Sequence, residues 1–140
     1  MVRISRYVYS GAAWLFLALV VTQVFLAGMA VVAMQISWDA HRGLGHMLGF
    51  PILLMLIAAY TGRMPGSLKR WTWALFGVFI LQAEVLIFLR ESAPVLSAFH
   101  PVLALVDFAL GLYLARRALL LQESTNEPLK PQTREGEARV

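Results

Sequence analysis

The feature that most constrains this chain is a run of 32 residues, Tyr7 to Trp38, without a charged side chain or a histidine. About 20 apolar residues are enough to cross the hydrocarbon of a bilayer as a helix. The run therefore predicts a membrane-spanning helix with length to spare. A signal peptide is the competing interpretation, because Arg3 and Arg6 precede the run, but the apolar region of a signal peptide spans only about 7–15 residues.

Three further runs contain few or no charged residues, and they span residues 43–62, 71–89 and 92–115. Over the whole chain, 59% of the residues are hydrophobic and 14% are charged. Soluble domains have about 45–50% apolar residues. The sequence therefore predicts an integral membrane protein that resides in a lipid bilayer.

The order and spacing of the runs predict an all-α polytopic membrane protein, an antiparallel bundle of four transmembrane helices within residues 1–121. The links between the runs are short, and short links favour antiparallel packing of sequential helices. The polar segment 122–140 is expected to be a disordered cytoplasmic tail. No internal repeat is expected. The helices are predicted at about residues 8–36, 41–61, 71–90 and 98–117.

The distribution of lysine and arginine predicts the orientation of the helices. Only Arg42 and Arg90 lie on one side of the predicted bundle, and the other ten basic residues lie at the termini, in the link 61–70 and after residue 115. Cytoplasmic loops of membrane proteins carry the excess of positive charge. Both termini are therefore expected in the cytoplasm of a bacterial plasma membrane. The net charge of +4 follows from this pattern and gives no indication of nucleic-acid binding.

All three histidines lie toward the predicted outer side of the membrane. His41 and His46 begin the second helix and His100 begins the fourth, so these parallel helices carry imidazoles at similar depth. An imidazole in lipid needs a partner, and haem iron is a frequent partner of histidines on facing membrane helices. The chain has no cysteine, so the predicted cofactor is a non-covalent haem b.

Helical phase separates the two histidines of the second helix. His41 and His46 are five residues apart and point about 140° from each other, so they are not expected to bind one metal together. One axial ligand is predicted to be His100, and the other is either His41 or His46. Gly45 and Gly49 form a GxxxG pattern, which indicates either close helix packing or room for a flat macrocycle.

Polar residues elsewhere in the apolar runs have two interpretations. His100, Ala104, Asp107 and Gly111 form one helical stripe that is expected to face the interior. Asp107 and Glu84 are both expected to face inward, where they would either exchange protons with a quinone or hydrogen-bond across helices.

The remaining polar candidates are two amides and two cations. Gln23 and Gln82 are interpreted as hydrogen-bonding groups between helices. Arg42 and Arg90 suit either the propionates of a haem or lipid headgroups.

Two short motifs carry a resemblance to known families. His41-Arg-Gly-Leu-Gly45 and His100-Pro101 resemble the motifs that open helices 2 and 4 in a small bacterial family of four-helix membrane proteins of uncharacterised function, over about residues 7–118. More distantly, the first motif is similar to the haem-ligating segments of haem A synthase and of di-haem cytochrome b bundles. That resemblance implies His41 and His100 as axial ligands of at most one haem.

Three hypotheses for function follow. The first is a b-type haem protein that exchanges electrons with quinone or with a periplasmic redox partner. The second is a non-enzymatic membrane subunit or scaffold whose histidines and small residues serve helix packing. The third is a small transporter or channel component that would have to form a homo-oligomer, with Glu84 and Asp107 lining a path. Motifs of zinc proteases, serine hydrolases and phosphate-binding loops are absent.

Overall fold

The computed structural model describes residues 1–34 and 36–126, and this part of the chain is all-helical and contains no strand. The all-α prediction is confirmed. Seven α-helical segments and one π-helical turn follow one another as α1 (Val2–Val31), α2 (Trp38–Met47), α3 (Gly49–Thr61), α4 (Gly66–Ile80), the π turn (Leu81–Val85), α5 (Leu86–Phe88), α6 (Pro94–Ser97) and α7 (His100–Asn126).

Within the described residues, these segments combine into four long helical stretches, each long and apolar enough to cross a membrane. The stretches coincide with the four runs that predict spanning helices. They are numbered first to fourth and comprise Val2–Val31, Trp38–Thr61, Gly66–Phe88 and Pro94–Ser124.

The helix ends differ from the predicted ends at both termini. α1 begins at Val2 rather than near residue 8, and α7 continues to Asn126 rather than ending near residue 117. The added residues 2–7 include two arginines, and the added residues 118–126 include alanine and three leucines. Neither segment contains glycine or proline, so nothing in them ends a helix. The remainder of the expected tail, residues 127–140, lies outside the described residues.

The second stretch begins with a side-chain cap. The Ser37 hydroxyl oxygen accepts a hydrogen bond from the backbone N–H of Asp39 at 3.3 Å, which satisfies a donor that the first turn leaves open. The helix therefore begins at Trp38. The Asp39 carboxylate accepts hydrogen bonds from Ser37 Oγ at 3.0 Å and from Arg42 Nη2 at 2.6 Å.

The four stretches pack in a closed cycle, the first against the second and fourth and the third against the second and fourth. A buried hydrogen bond between the hydroxyl groups of Tyr9 and Thr72, 2.7 Å long, joins α1 to α4 within the core. Gly111 lets α7 approach α1 closely, because a Cβ there would lie 3.0 Å from a ring carbon of Phe16. The largest fully buried apolar side chains are those of Tyr9, Phe16, Ile52, Met55, Leu75 and Leu114.

Candidate functional site

His41 on α2 and His100 at the start of α7 lie beside each other, with ring centres 6.3 Å apart and ring planes at 69°. His41 Nδ1 lies 3.1 Å from the carbonyl oxygen of Gln23, and His100 Nδ1 lies 3.0 Å from that of Gln82. A carbonyl oxygen only accepts hydrogen bonds, so each Nδ1 donates its proton. Each neutral ring is therefore held as the tautomer with a lone pair on Nε2, the arrangement that metal-ligating histidines adopt.

The Gln82 carbonyl accepts from His100 at a point where its own helix widens. Leu81–Val85 form a single π-helical turn, in which the N–H of Leu86 binds the carbonyl of Leu81. In a regular α-helix that N–H would bind the carbonyl of Gln82, four residues back. The π turn thus diverts a donor from the carbonyl that orients His100. Such turns are frequent at functional sites.

A cavity of about 480 Å³ adjoins the histidine pair. Sites for small molecules and cofactors have volumes of about 300–1,000 Å³ and mostly apolar walls with a few polar groups. All four stretches contribute apolar side chains to this cavity, among them Val20, Trp38, Phe79 and Ala104. Its polar lining consists of Gln23, His41, Arg42, His46, Gln82, Arg90 and His100.

The two glycines of the GxxxG pattern both make close helix contacts. A Cβ on Gly45 would lie 2.8 Å from Gln23 Nε2, and a Cβ on Gly49 would lie 3.3 Å from the ring of Phe79. Gly45 also lines the cavity. Gly49 serves packing between α3 and α4, whereas Gly45 both permits packing on α1 and leaves room beside His41.

His46 points away from the His41–His100 pair. Its Nδ1 lies 3.7 Å from Glu84 Oε1, and 72% of the His46 side chain and 55% of the Glu84 side chain are exposed. The prediction that Glu84 faces inward is wrong. Gln82 and Glu84 are two residues apart on one helix, so a buried Gln82 turns Glu84 outward. His46 still lines the edge of the cavity.

Arg42 and Arg90 both line the cavity, and both side chains are largely exposed. Arg42 Nη2 pairs with Asp39 Oδ1 at 2.6 Å, and Arg90 Nη2 lies 3.6 Å from Glu91 Oε1. Ion pairs exposed to solvent contribute little to stability, so an anionic ligand could recruit either guanidinium at little cost. The structure places both cations at the rim where the histidine pair lies.

Asp107 is the one acidic side chain that is fully buried among the described residues. Its Oδ2 accepts a hydrogen bond from Gln82 Nε2 at 2.6 Å, and no basic residue of the described part pairs with it. The predicted stripe of α7 does face the interior, because His100 and Ala104 line the cavity, Asp107 is buried and Gly111 contacts Phe16. Gln82 thus joins two stripe residues, His100 through its carbonyl and Asp107 through its amide.

The two Gln–His hydrogen bonds relate the two halves of the described chain, and this correspondence is called the internal repeat. The sequence predicts no internal repeat with a usable motif, and the positions that correspond are few. Gln23 precedes His41 by 18 residues, and Gln82 precedes His100 by 18 residues. A shift of 59 residues therefore superposes both Gln–His pairs and also relates Trp14 to Trp73. Identities outside these positions are sparse because apolar residues replace one another freely in such helices. In the sequence, only the equal spacing of the two Gln–His pairs indicates this correspondence.

Comparison with known proteins gives one family match. Residues 23–86, less than half of the chain, match the model of a family of unknown function, DUF6220. No curated protein and no solved structure matches the chain. The family match and the four apolar helices agree with the expected resemblance to a family of uncharacterised function. The likeness to haem A synthase and cytochrome b receives no support from the comparisons and stays a prediction.

Proposed function

We propose that this protein binds one b-type haem through His41 and His100 and carries electrons in a membrane. The observation that carries the proposal is the paired geometry of the two imidazoles. Each is oriented by a backbone carbonyl of a neighbouring helix, and their ring centres are 6.3 Å apart. Haem, when bound, supplies an iron that alternates between the ferric and ferrous states and so moves one electron at a time.

The distance between the rings suits a shared metal. Metal–imidazole bonds are about 2.0 Å long, so two rings that bind one metal from opposite sides have centres roughly 6 Å apart. The Nδ1–carbonyl bonds leave Nε2 on each ring for this bond. Carbonyl partners of this kind fix the ring orientation and raise the basicity of the ligating nitrogen.

The surroundings favour haem over a bare metal ion. Within residues 1–34 and 36–126, no group of three or more His, Asp or Glu side chains is arranged to hold an ion. Haem iron needs only two axial ligands from the protein, because the porphyrin supplies the rest. The largely apolar cavity of about 480 Å³ suits a macrocycle, and Arg42 and Arg90 at its rim suit the propionates.

The same geometry favours His41 over His46 as the ligand from α2. Among the described residues, no backbone carbonyl orients His46 as one orients His41, and its Nδ1 lies 3.7 Å from the Glu84 carboxylate. Its ring therefore lacks the support that the other two histidines share. The internal repeat points the same way, since His41 and not His46 corresponds to His100.

We further propose that the four stretches form an antiparallel bundle across a bacterial plasma membrane, with both termini cytoplasmic. Large apolar side chains such as Phe25, Phe50 and Phe88 are 63%, 67% and 85% exposed, and extensive apolar exposure is rare on soluble monomers. Seven of the nine basic residues in the described part lie at one end, against Arg42 and Arg90 at the other. The histidine pair then lies near the outer surface.

A difference spectrum tests the haem proposal. The protein, purified in mild detergent from cells supplied with a haem precursor, is expected to show a reduced-minus-oxidised α band at about 560 nm, typical of iron with two histidine ligands. A colourless preparation without the band would overturn the proposal. It would favour the second candidate, a membrane subunit or scaffold whose helix packing relies on Gly45 and Gly49, both of which make the close contacts that this role needs.

A further inference from the structure

We infer that His46 and Glu84 form a binding site for the head group of a membrane quinol, a para-hydroquinone with a long apolar tail. The inference rests on the proposed haem site for the destination of the electrons. The binding site itself stands on the contacts of these two residues. His46 Nδ1 and Glu84 Oε1 lie 3.7 Å apart, too far for a direct hydrogen bond and close enough for one hydroxyl group to bridge them.

The surroundings of this pair are apolar and face outward. Met47 and Phe50 beside His46 are 59% and 67% exposed, and Phe88, one turn after Glu84, is 85% exposed. Ionisable side chains that face lipid are costly and usually mark functional sites. A ligand for this position must therefore offer polar hydroxyls to the pair and an apolar body to the bilayer. A quinol has both.

The positions that the internal repeat relates to this pair carry apolar side chains. The 59-residue shift places Leu105 at the position of His46 and Phe25 at the position of Glu84. Leu105 and Phe25 are 69% and 63% exposed, so both positions face outward in either half of the chain. Each half contributes one polar residue to the His46–Glu84 pair, and the pair that the shift relates to it, Leu105 and Phe25, is apolar. The histidines His41 and His100 correspond under the shift, whereas the inferred quinol site has no polar counterpart.

The inferred quinol site adjoins the cavity beside His41 and His100. His46 lines the edge of the same cavity that His41 and His100 line. A quinol held at His46 therefore has its ring at the entrance of that cavity.

His46 and Glu84 can accept the protons that oxidation of a quinol releases. Oxidation of a quinol to a quinone breaks two O–H bonds and releases two protons and two electrons. The Glu84 carboxylate and the His46 imidazole provide one acceptor for each proton. The haem proposed between His41 and His100 would supply a one-electron relay, so that each quinol consumed would reduce two molecules of a one-electron acceptor.

Equilibrium titration of the purified full-length protein tests the site. A benzoquinol with a ten-carbon tail is titrated in a calorimeter, and a naphthoquinol in a second series distinguishes the two quinol classes. We expect saturable binding, weakened at least tenfold by His46→Leu and by Glu84→Gln. The matched controls, Leu105→Ala and Phe25→Leu, alter the positions that the 59-residue shift relates to His46 and Glu84, and they are expected to leave the Kd unchanged.

The outcomes separate this inference from the haem proposal. Absence of saturable quinol binding, or binding that His46→Leu and Glu84→Gln leave unchanged, overturns the inference even where the α band is present. Binding that depends on both residues in a protein without an α band supports the site and overturns only the haem proposal. Thermal melting of each variant shows whether it is folded. If His46→Leu unfolds the protein, Glu84→Gln, which keeps the size of the side chain, tests the site in its place.

Discussion

Replacing His100 with alanine is expected to abolish the α band at about 560 nm and to lower haem affinity by more than about a hundredfold. The variant removes one of two axial ligands and leaves the partner, His41, with its bond to the Gln23 carbonyl intact. His41→Ala is expected to have the same effect, because the two rings occupy equivalent positions in the repeat. Absorbance spectra of the purified variants, normalised to protein, measure both losses.

His46→Leu provides the matched control for both variants. It replaces the third histidine by the residue that stands at the corresponding position of the other half, Leu105, and is expected to retain the whole band. A band that survives His100→Ala would contradict the proposed ligand pair. A band that survives His41→Ala and disappears in His46→Leu would assign the ligand of α2 to His46, the alternative that the sequence left open.

The second large effect concerns stability and does not depend on haem. Gln82→Leu is expected to lower the free energy of unfolding by about 2 kcal/mol, because it leaves the fully buried Asp107 carboxyl group without its hydrogen-bond donor. Asp107→Leu is expected to cost a similar amount, since it leaves the Gln82 amide without an acceptor. Denaturation of the purified protein in detergent micelles, followed by circular dichroism, measures both.

The double variant distinguishes a hydrogen bond from simple packing. Gln82→Leu combined with Asp107→Leu removes both partners of the hydrogen bond. The double variant is expected to lose about 1–2 kcal/mol less free energy of unfolding than the sum of the losses in the two single variants. Gln23→Leu is the matched control. Gln23 occupies the equivalent position, and among the described residues its buried Oε1 lacks a hydrogen-bond partner, as does that of Gln82, whereas only Gln82 donates to a buried carboxyl group. A strictly additive double variant, or a control as damaging as Gln82→Leu, would contradict the assignment.

The long apolar runs made the fold predictable to a large extent. An uncharged run that exceeds the length needed to cross a bilayer forms either a buried helix or a membrane-spanning helix. The four long apolar helical stretches of the structure lie at these runs. The ends were less predictable. Ser37 caps the second stretch, although serine and aspartate are both favoured cap residues and the sequence has both Ser37 and Asp39 at this point. Only the folded backbone selects between them.

The candidate site was predictable at the level of the histidines and not at the level of their partners. Helical phase separates His41 from His46, and the structure places them against different helices. The acceptors for His41 and His100 are backbone carbonyls, which every residue carries and no side-chain pattern reveals. The π turn that adjusts one of them has no clear signature in Leu81–Val85.

The exposed position of Glu84 is a further feature that the sequence did not predict. An acidic residue in an apolar run is expected to face inward, and Asp107 does. Glu84 cannot face inward together with Gln82, since residues two apart on one helix point about 200° from each other. Gln82 forms hydrogen bonds with both Asp107 and His100, and these bonds determine which side of this helix faces the interior.

The amount of haem in the unmodified protein tests the central claim most directly. Haem is extracted into alkaline pyridine from protein purified to a single band, and the ratio of haem to chain is determined from its absorbance. The His41–His100 pair predicts one non-covalent haem b per chain. A ratio near zero, in protein that is folded and was produced with haem available, would contradict the account.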